Sequence, residues 1–323
     1  MKGVFFSLII FFLISLLIAI VFMQRSYVRY AYTQATLEGR VTAIKNFYAS
    51  LVEDSKRAVA IVSRRAVSAA ISHVISTGVG LQEANRTIAE LVLNGTIEGE
   101  KHALMEGSTV KDWVNKIEAL ALIENFDANI SISEVTVVPE DSFSIKVEFK
   151  LYAILRDKNF NIMLNKSQQV YTYVDITSFE DPLYPLYTYG RAVNIFAKSP
   201  HWLNYSSEDL TNLLDDLNKS YYHPSRYGAS FLDRLEGKCL VQNKYNIGKD
   251  IGLESFVDKQ KLLTLGIPVY PERSSIDYMY FCNVSVPAYQ ISGMPSSFRL
   301  DNQTGALDMT HLQIYNVSSR VVQ

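Results

Sequence analysis

Residues Val4 to Met23 form an uninterrupted apolar run of twenty, VFFSLIIFFLISLLIAIVFM, and nothing else in the 323-residue chain constrains its fold as tightly. As a helix rising 1.5 Å per residue the run covers about 30 Å, the hydrocarbon thickness of a bilayer. Sixteen of its residues are Leu, Ile, Phe or Val. Each of these favours insertion by roughly 0.3–0.6 kcal/mol at the membrane centre. Ser7 and Ser15 cost little, because a helical hydroxyl can bond back to a carbonyl one turn earlier. A cleaved secretory leader would carry a shorter apolar core and a small-x-small site. Here Gln24-Arg25-Ser26-Tyr27 follows instead. A retained single span within residues 1–23 is expected, with the membrane as its partner.

Two signals disagree on which side the rest of the chain lies. Arg25, Arg29, Arg40 and Lys45 follow the span and only Lys2 precedes it, which by charge alone puts the large part in the cytoplasm. Against this, nine asparagines after the span fit Asn-x-Ser/Thr: Asn85, Asn94, Asn129, Asn165, Asn204, Asn218, Asn283, Asn302 and Asn316. With 18 Asn and 46 Ser plus Thr in the chain, chance gives about 2.6 such motifs. Asn-linked sugar belongs to exported surfaces. The sequons outweigh the charge bias, so the expected topology is N-terminus inside and body extracellular, a cell-surface glycoprotein. With so few residues ahead of the span, no cytoplasmic signalling domain is expected from this chain.

Lys2-Gly3 directly before Val4 and the apolar run resembles the class III leader of archaeal type IV pilin-like proteins. The resemblance implies a cut after Gly3 by a dedicated peptidase, retention of the hydrophobic helix, and pilin-like subunits or further copies of the chain as partners. Leu8 stands where bacterial pilins carry a glutamate. An ordinary uncleaved signal anchor, in which Gly3 has no role, fits the same residues and stays open.

Beyond the span the expected fold class is α+β. From Gln24 to Thr77 there is no proline and one glycine, Gly39. Apolar or small residues recur at Leu37, Val41, Ile44, Tyr48, Leu51, Ser55, Val59, Val62, Ala66, Ala70 and Val74, spacings of three and four that mark one face of a long helix. The transmembrane helix is thus expected to continue into a helical stalk over residues 24–77, ending at Thr77-Gly78-Val79-Gly80. Residues 78–180 are expected to hold helices near Leu81–Leu93 and Thr109–Phe126, packed on an antiparallel meander. Thr109-x-x-Asp112 has capping-box spacing. Phe143, Ile145, Val147, Phe149 and Leu151 alternate with polar residues as in a half-buried strand. Phe179–Pro185 reads as a boundary before a second α+β segment over 181–323. Its expected elements are a helix from Glu208 to about Tyr221 capped by Ser206 or Ser207, a helix near Leu253–Leu263 and a strand at Ile276–Val286. The strings Phe231–Gly237 and Ser274–Phe281 are similar to stretches of archaeal surface proteins, a likeness that carries no activity.

Chemistry is sparse. The net charge of −2 and 20% charged residues do not suit a nucleic-acid binder. Cys239 and Cys282 are the two cysteines, and outside a cell they read as one disulfide. Closing that loop is worth about 4 kcal/mol in chain-entropy terms. His73, His102, His201, His223 and His311 show no metal-binding spacing, and no nucleophile elbow or phosphate loop occurs. No cofactor is expected. The tyrosines of 184–189 and 221–224 suit packing around prolines more than a sugar-binding face. The expected role is structural, in assembly or adhesion. A membrane-tethered extracytoplasmic enzyme acting on glycans or peptides is the alternative.

Overall fold

A computed structural model describes residues 2–241 and 249–322. Helix α1 (Lys2–Thr77) is unbroken, including at Gly39. Its buried residues Ile44, Leu51, Ser55, Val59, Val62, Ala66, Ala70 and Val74 are the face that the three-and-four spacing marks. Leu37 stays exposed. The helix stops where Gly78, at φ +67°, donates its N–H to Val74 O, a left-handed turn that glycine adopts without steric cost.

Two compact units follow from the contacts: residues 1–54, 116–131 and 152–167, and residues 55–115, 132–151 and 168–323. Neither starts or ends at Phe179–Pro185. In the first unit, Ile44, Ala121, Phe126 and Leu155 form the core, with Phe47 and Tyr48 packed against it. Phe47 tilts against Phe126 at 5.6 Å, and the Arg40 guanidinium lies over the same ring while pairing with Asp157. Arg40 therefore belongs to that packing.

Helix α2 (Ala84–Asn94) is followed by a small hairpin, β1 (Thr96–Ile97) and β2 (Glu100–Lys101), and by α3 (Val110–Ile123). The capping box ahead of α3 forms: Thr109 N donates to Asp112 Oδ2 at 2.8 Å, and Asp112 N to Thr109 Oγ1 at 3.2 Å. Next come β3 (Phe126–Asp141), β4 (Ser144–Asp157) and β5 (Met163–Asp175), a three-stranded sheet in the order β3-β4-β5. In β4, Ile145, Val147, Phe149, Leu151, Ala153 and Leu155 are all buried, and their polar neighbours alternate with them.

The last third departs from expectation in three places. Ile276–Val286 is not a strand, because Asp277–Phe281 forms helix α8. Ile276 through Tyr280 are all buried, so alternation carried no information about which side faces water. Leu253–Leu263 is not one helix. Gly252–Ser255 is strand β7, and Asp258 then caps α7 (Lys259–Thr264) by accepting from the Gln260 and Lys261 N–H groups. The helix expected from Glu208 is the shorter α5 (Thr211–Lys219), preceded by Asp209 accepting from Thr211 N rather than by a serine cap. The remaining pieces are α4 (Leu183–Thr188), β6 (Tyr222–Ser225), α6 (Phe231–Leu235), β8 (Ala288–Ile291), β9 (Arg299–Asp301), α9 (His311–Ile314) and β10 (Val321–Val322). Strands β10-β8-β9 form an antiparallel sheet, and β6 pairs with β7.

Candidate functional site

The densest polar chemistry in the second unit is organised by the β6–β7 ribbon. Its register sets Tyr222 opposite Ser255 and His223 opposite Glu254. Cross-strand partners share a face and successive residues alternate, so the ribbon turns one pair to each side. Both sides are buried.

On the Tyr222–Ser255 side sits Arg234, fully buried within α6. Its Nη1 reaches Asp181 Oδ2 at 2.5 Å and Asp277 Oδ2 at 2.9 Å, and its Nη2 donates to Leu253 O at 2.5 Å. Tyr222 donates to the same Asp181 oxygen at 2.7 Å, and Ser255 to Asp277 Oδ2 at 2.8 Å. Burial raises the Asp277 carboxyl above its ordinary value despite the nearby guanidinium.

On the other side, Tyr315 donates to Glu254 Oε1 at 2.6 Å, and its hydroxyl lies 3.3 Å from His223 Nδ1. Tyr205 and His223 Nε2 converge on Asp216 Oδ2 at 2.5 and 2.9 Å. His311 Nδ1 meets Asp301 Oδ1 at 2.7 Å, and its Nε2 forms an ion pair with Glu254 Oε2 at 3.4 Å. Burial alone would push this imidazole down. The Glu254 charge and the Asp301 hydrogen bond outweigh burial and hold it up to about 10. The two carboxylates are correspondingly lowered, again against the effect of burial.

This arrangement suits holding a core together. Arg234, His223, Glu254, Asp277, Asp301 and His311 are each 0% exposed, so their groups do not meet solvent. His311 as an imidazolium has no lone pair to act as a base at neutral pH. His223 and His311 join one network, whereas His201 pairs with Asp215 at 3.0 Å in a half-exposed position. Among the described residues no group of three or more His, Cys, Asp or Glu is arranged to hold a metal ion. The tyrosine stretches are largely packing elements: Tyr184 and Tyr222 are buried, and only Tyr189 stands almost fully exposed, at 92%.

The residues singled out in the sequence lie elsewhere. Cys239 and Cys282 form a disulfide with Cα atoms 6.1 Å apart. The Tyr187 hydroxyl donates to Gly237 O and lies 3.5 Å from both sulfurs. A bonded sulfur has no proton to give and the single phenolic proton goes to Gly237 O, so the two sulfur approaches are packing contacts. Reducing the bridge is expected to cost about 2–4 kcal/mol, read as a lower urea midpoint with reductant present. An unchanged midpoint would show that the bridge does not constrain the unfolded chain.

Of the nine sequon asparagines, eight are exposed and Asn85 is half-buried. Five of the seven described asparagines outside the motif are exposed as well, so exposure permits modification without arguing for it. Asn316 is held by its Nδ2 donating to Tyr205 O at 3.2 Å. Lys2, Gly3 and Val4 open α1, and their side chains lie outside the described residues.

Among its described side chains the apolar run is bare. One 18-residue window of α1 has mean hydropathy 2.5, and 0% of it is buried. Phe6, Phe11, Phe12 and Phe22 are each at least 66% exposed, and Ser15 bonds back to Phe12 O at 2.9 Å. Arg25 and Arg29 follow within two turns, with exposed Tyr27, Tyr30 and Tyr32 among them.

Comparison with protein-family models, with curated proteins and with solved structures found no match to this chain. The sequence reading missed the buried ion network. Its one local signal is charge inside apolar strings, Asp233-Arg234 within Phe231–Leu235 and Asp277 within Ile276–Phe281.

Proposed function

We propose that the chain is a single-pass membrane-anchored surface glycoprotein whose body lies outside the cell, with a structural role in assembly or adhesion. The bare apolar stretch of α1 carries this reading. Monomeric soluble proteins rarely leave so large a contiguous apolar patch uncovered, and a bilayer would cover it on every side. Gln24, Arg25 and the tyrosines of 27–32 suit the headgroup region, where amphipathic rings and long cations settle. The disulfide favours an oxidising compartment, and the number of sequons above chance favours export. The resemblance of Lys2-Gly3 to a pilin-like leader adds processing before Val4 and assembly with like subunits. An enzyme acting on glycans or peptides draws no support from the gathered histidines and carboxylates, since all of the central ones are shut away from water.

The test is carbonate extraction of membranes from producing cells, followed by mass spectrometry of the mature amino terminus. Retention in the carbonate pellet is expected, with Val4 as the first residue. Release into the supernatant would defeat the anchor. An intact Met1 or Lys2 on a retained protein would defeat leader processing alone.

A further inference from the structure

We infer that Asn-linked sugars on Asn129 and Asn165 shield the two open edges of the β3-β4-β5 sheet against addition of a foreign strand. The inference rests on the exported, glycosylated reading above and assigns a task to two of its nine candidate sites.

Three observations converge. In a sheet ordered β3-β4-β5, both β3 and β5 have one strand neighbour among the described residues. Both are long, at 16 and 13 residues, and long open edges present rows of backbone donors and acceptors that template pairing with other chains. Of the nine sequon asparagines, the two that fall within strands are Asn129, on β3, and Asn165, on β5. The central strand carries none. Both side chains are exposed, so a glycan would stand free at each outer strand.

The two edges are unequally protected without sugar. β3 carries Asp127, Glu134, Pro139 and Glu140, Glu134 adopts φ +53°, and the Ile130 N–H beside Asn129 already donates to Glu118 Oε1 at 2.8 Å. Charges, a proline and a local distortion are the usual means of blunting an edge. β5 has no such provision over Ser167–Val174, SQQVYTYV, which lacks any charge, proline or glycine. Tyr171 and Tyr173 there remain 53% and 49% exposed. An uncharged, β-favouring segment on an open edge matches the pattern of an aggregation-prone stretch. Asn165 sits two positions before it. A bulky hydrated sugar at that point supplies the protection that the side chains do not, and loss at Asn165 should matter more than loss at Asn129.

The experiment uses the full chain, made in a host with Asn-glycosylation and purified in detergent. Glycopeptide mass spectrometry reads occupancy at each site, and light scattering after size-exclusion chromatography reads association over time. The edge pair N129Q/N165Q is compared with N204Q/N302Q, which removes two sugars from exposed loop positions. Ser131→Ala with Ser167→Ala abolishes the same two sequons while leaving both asparagines in place, so a folding fault of one pair does not decide the outcome. Occupancy at both edge sites is expected. Both edge pairs should associate about fivefold faster than wild type, N165Q faster than N129Q, and N204Q/N302Q at the wild-type rate. Sugar at other sequons with bare Asn129 and Asn165, or edge pairs as monodisperse as the loop pair, overturns this inference alone. No sugar at any of the nine overturns the exported reading with it.

Discussion

Replacing Arg234 by methionine is expected to destabilise the protein by about 5 kcal/mol, the upper part of the range for breaking a buried ion pair. Asp181 and Asp277 are both 0% exposed and would lose the guanidinium that pairs with each of them. Leu253 O would lose its donor at the same time. Methionine fills a similar volume, so the loss would come from uncompensated charge and not from a cavity. Lysine in place of Arg234 keeps the charge without the planar fork and should cost about half as much. In the Arg234→Met background, changing both aspartates to asparagine should restore part of the stability, because a buried amide is far cheaper than a buried carboxylate. Urea unfolding followed by tryptophan fluorescence gives the readout, Trp202 lying 5.4 Å from His223 in the same unit. A midpoint for Arg234→Met within experimental scatter of wild type would mean that the cluster does not hold the core.

Stability should also fall on the alkaline side of neutrality, and His311 is the reason. Its pKa is raised from 6.5 to about 10 in the fold. A group raised in this way contributes fully below its unfolded value and loses the contribution as pH climbs through the folded one. Glu254 and Asp301 are lowered from 4.5 and 3.8. Their contribution is full above those values and is lost as pH falls through the depressed ones. The three together stabilise most between about pH 4.5 and 6.5, and the His311 share then declines by up to about 1.4 kcal/mol per pH unit. His311→Gln should lose about 3–4 kcal/mol at pH 6, since two buried carboxylates are left facing a neutral amide. From pH 6.5 to about 7.5, before the Lys259 ammonium that burial lowers to about 8 begins to titrate, its urea midpoint should run flat where the wild type declines. Measurements kept below about pH 7.5 precede the Lys259 titration and stay well below the ordinary range of exposed tyrosine. Parallel declines in the two proteins would remove His311 as the cause.

The ease of reading the fold from sequence followed the distribution of water around each element. In α1 beyond Ile44 and in β4, one side is wet and the other dry, so the three-and-four spacing and the alternation of Ile145, Val147 and Phe149 report the geometry directly. The Thr109–Asp112 box is equally local, its partners three residues apart. In the last third, β6 and β7 are buried on both faces and Ile276–Tyr280 is buried throughout. Periodicity loses its meaning there, which is how a short helix came to be read as a strand. Beyond charge set inside apolar strings, the main pairings of the ion network had no short-range signature. Asp181 and Arg234 are 53 positions apart, and Glu254 and Tyr315 are 61. The disulfide was legible for the opposite reason, because two cysteines leave a single possible pairing.

The anchor reading was equally accessible from the sequence, as hydropathy needs no tertiary information. Sidedness is a different matter, since it depends on where positive charge and sugar fall relative to the bilayer. A membrane-impermeant amine reagent applied to intact cells addresses it most directly. Lys158 and Lys261 are exposed on the body, and an extracellular body requires both to be labelled before lysis. Labelling of these lysines only after the cells are broken would place the body in the cytoplasm and contradict the proposed topology.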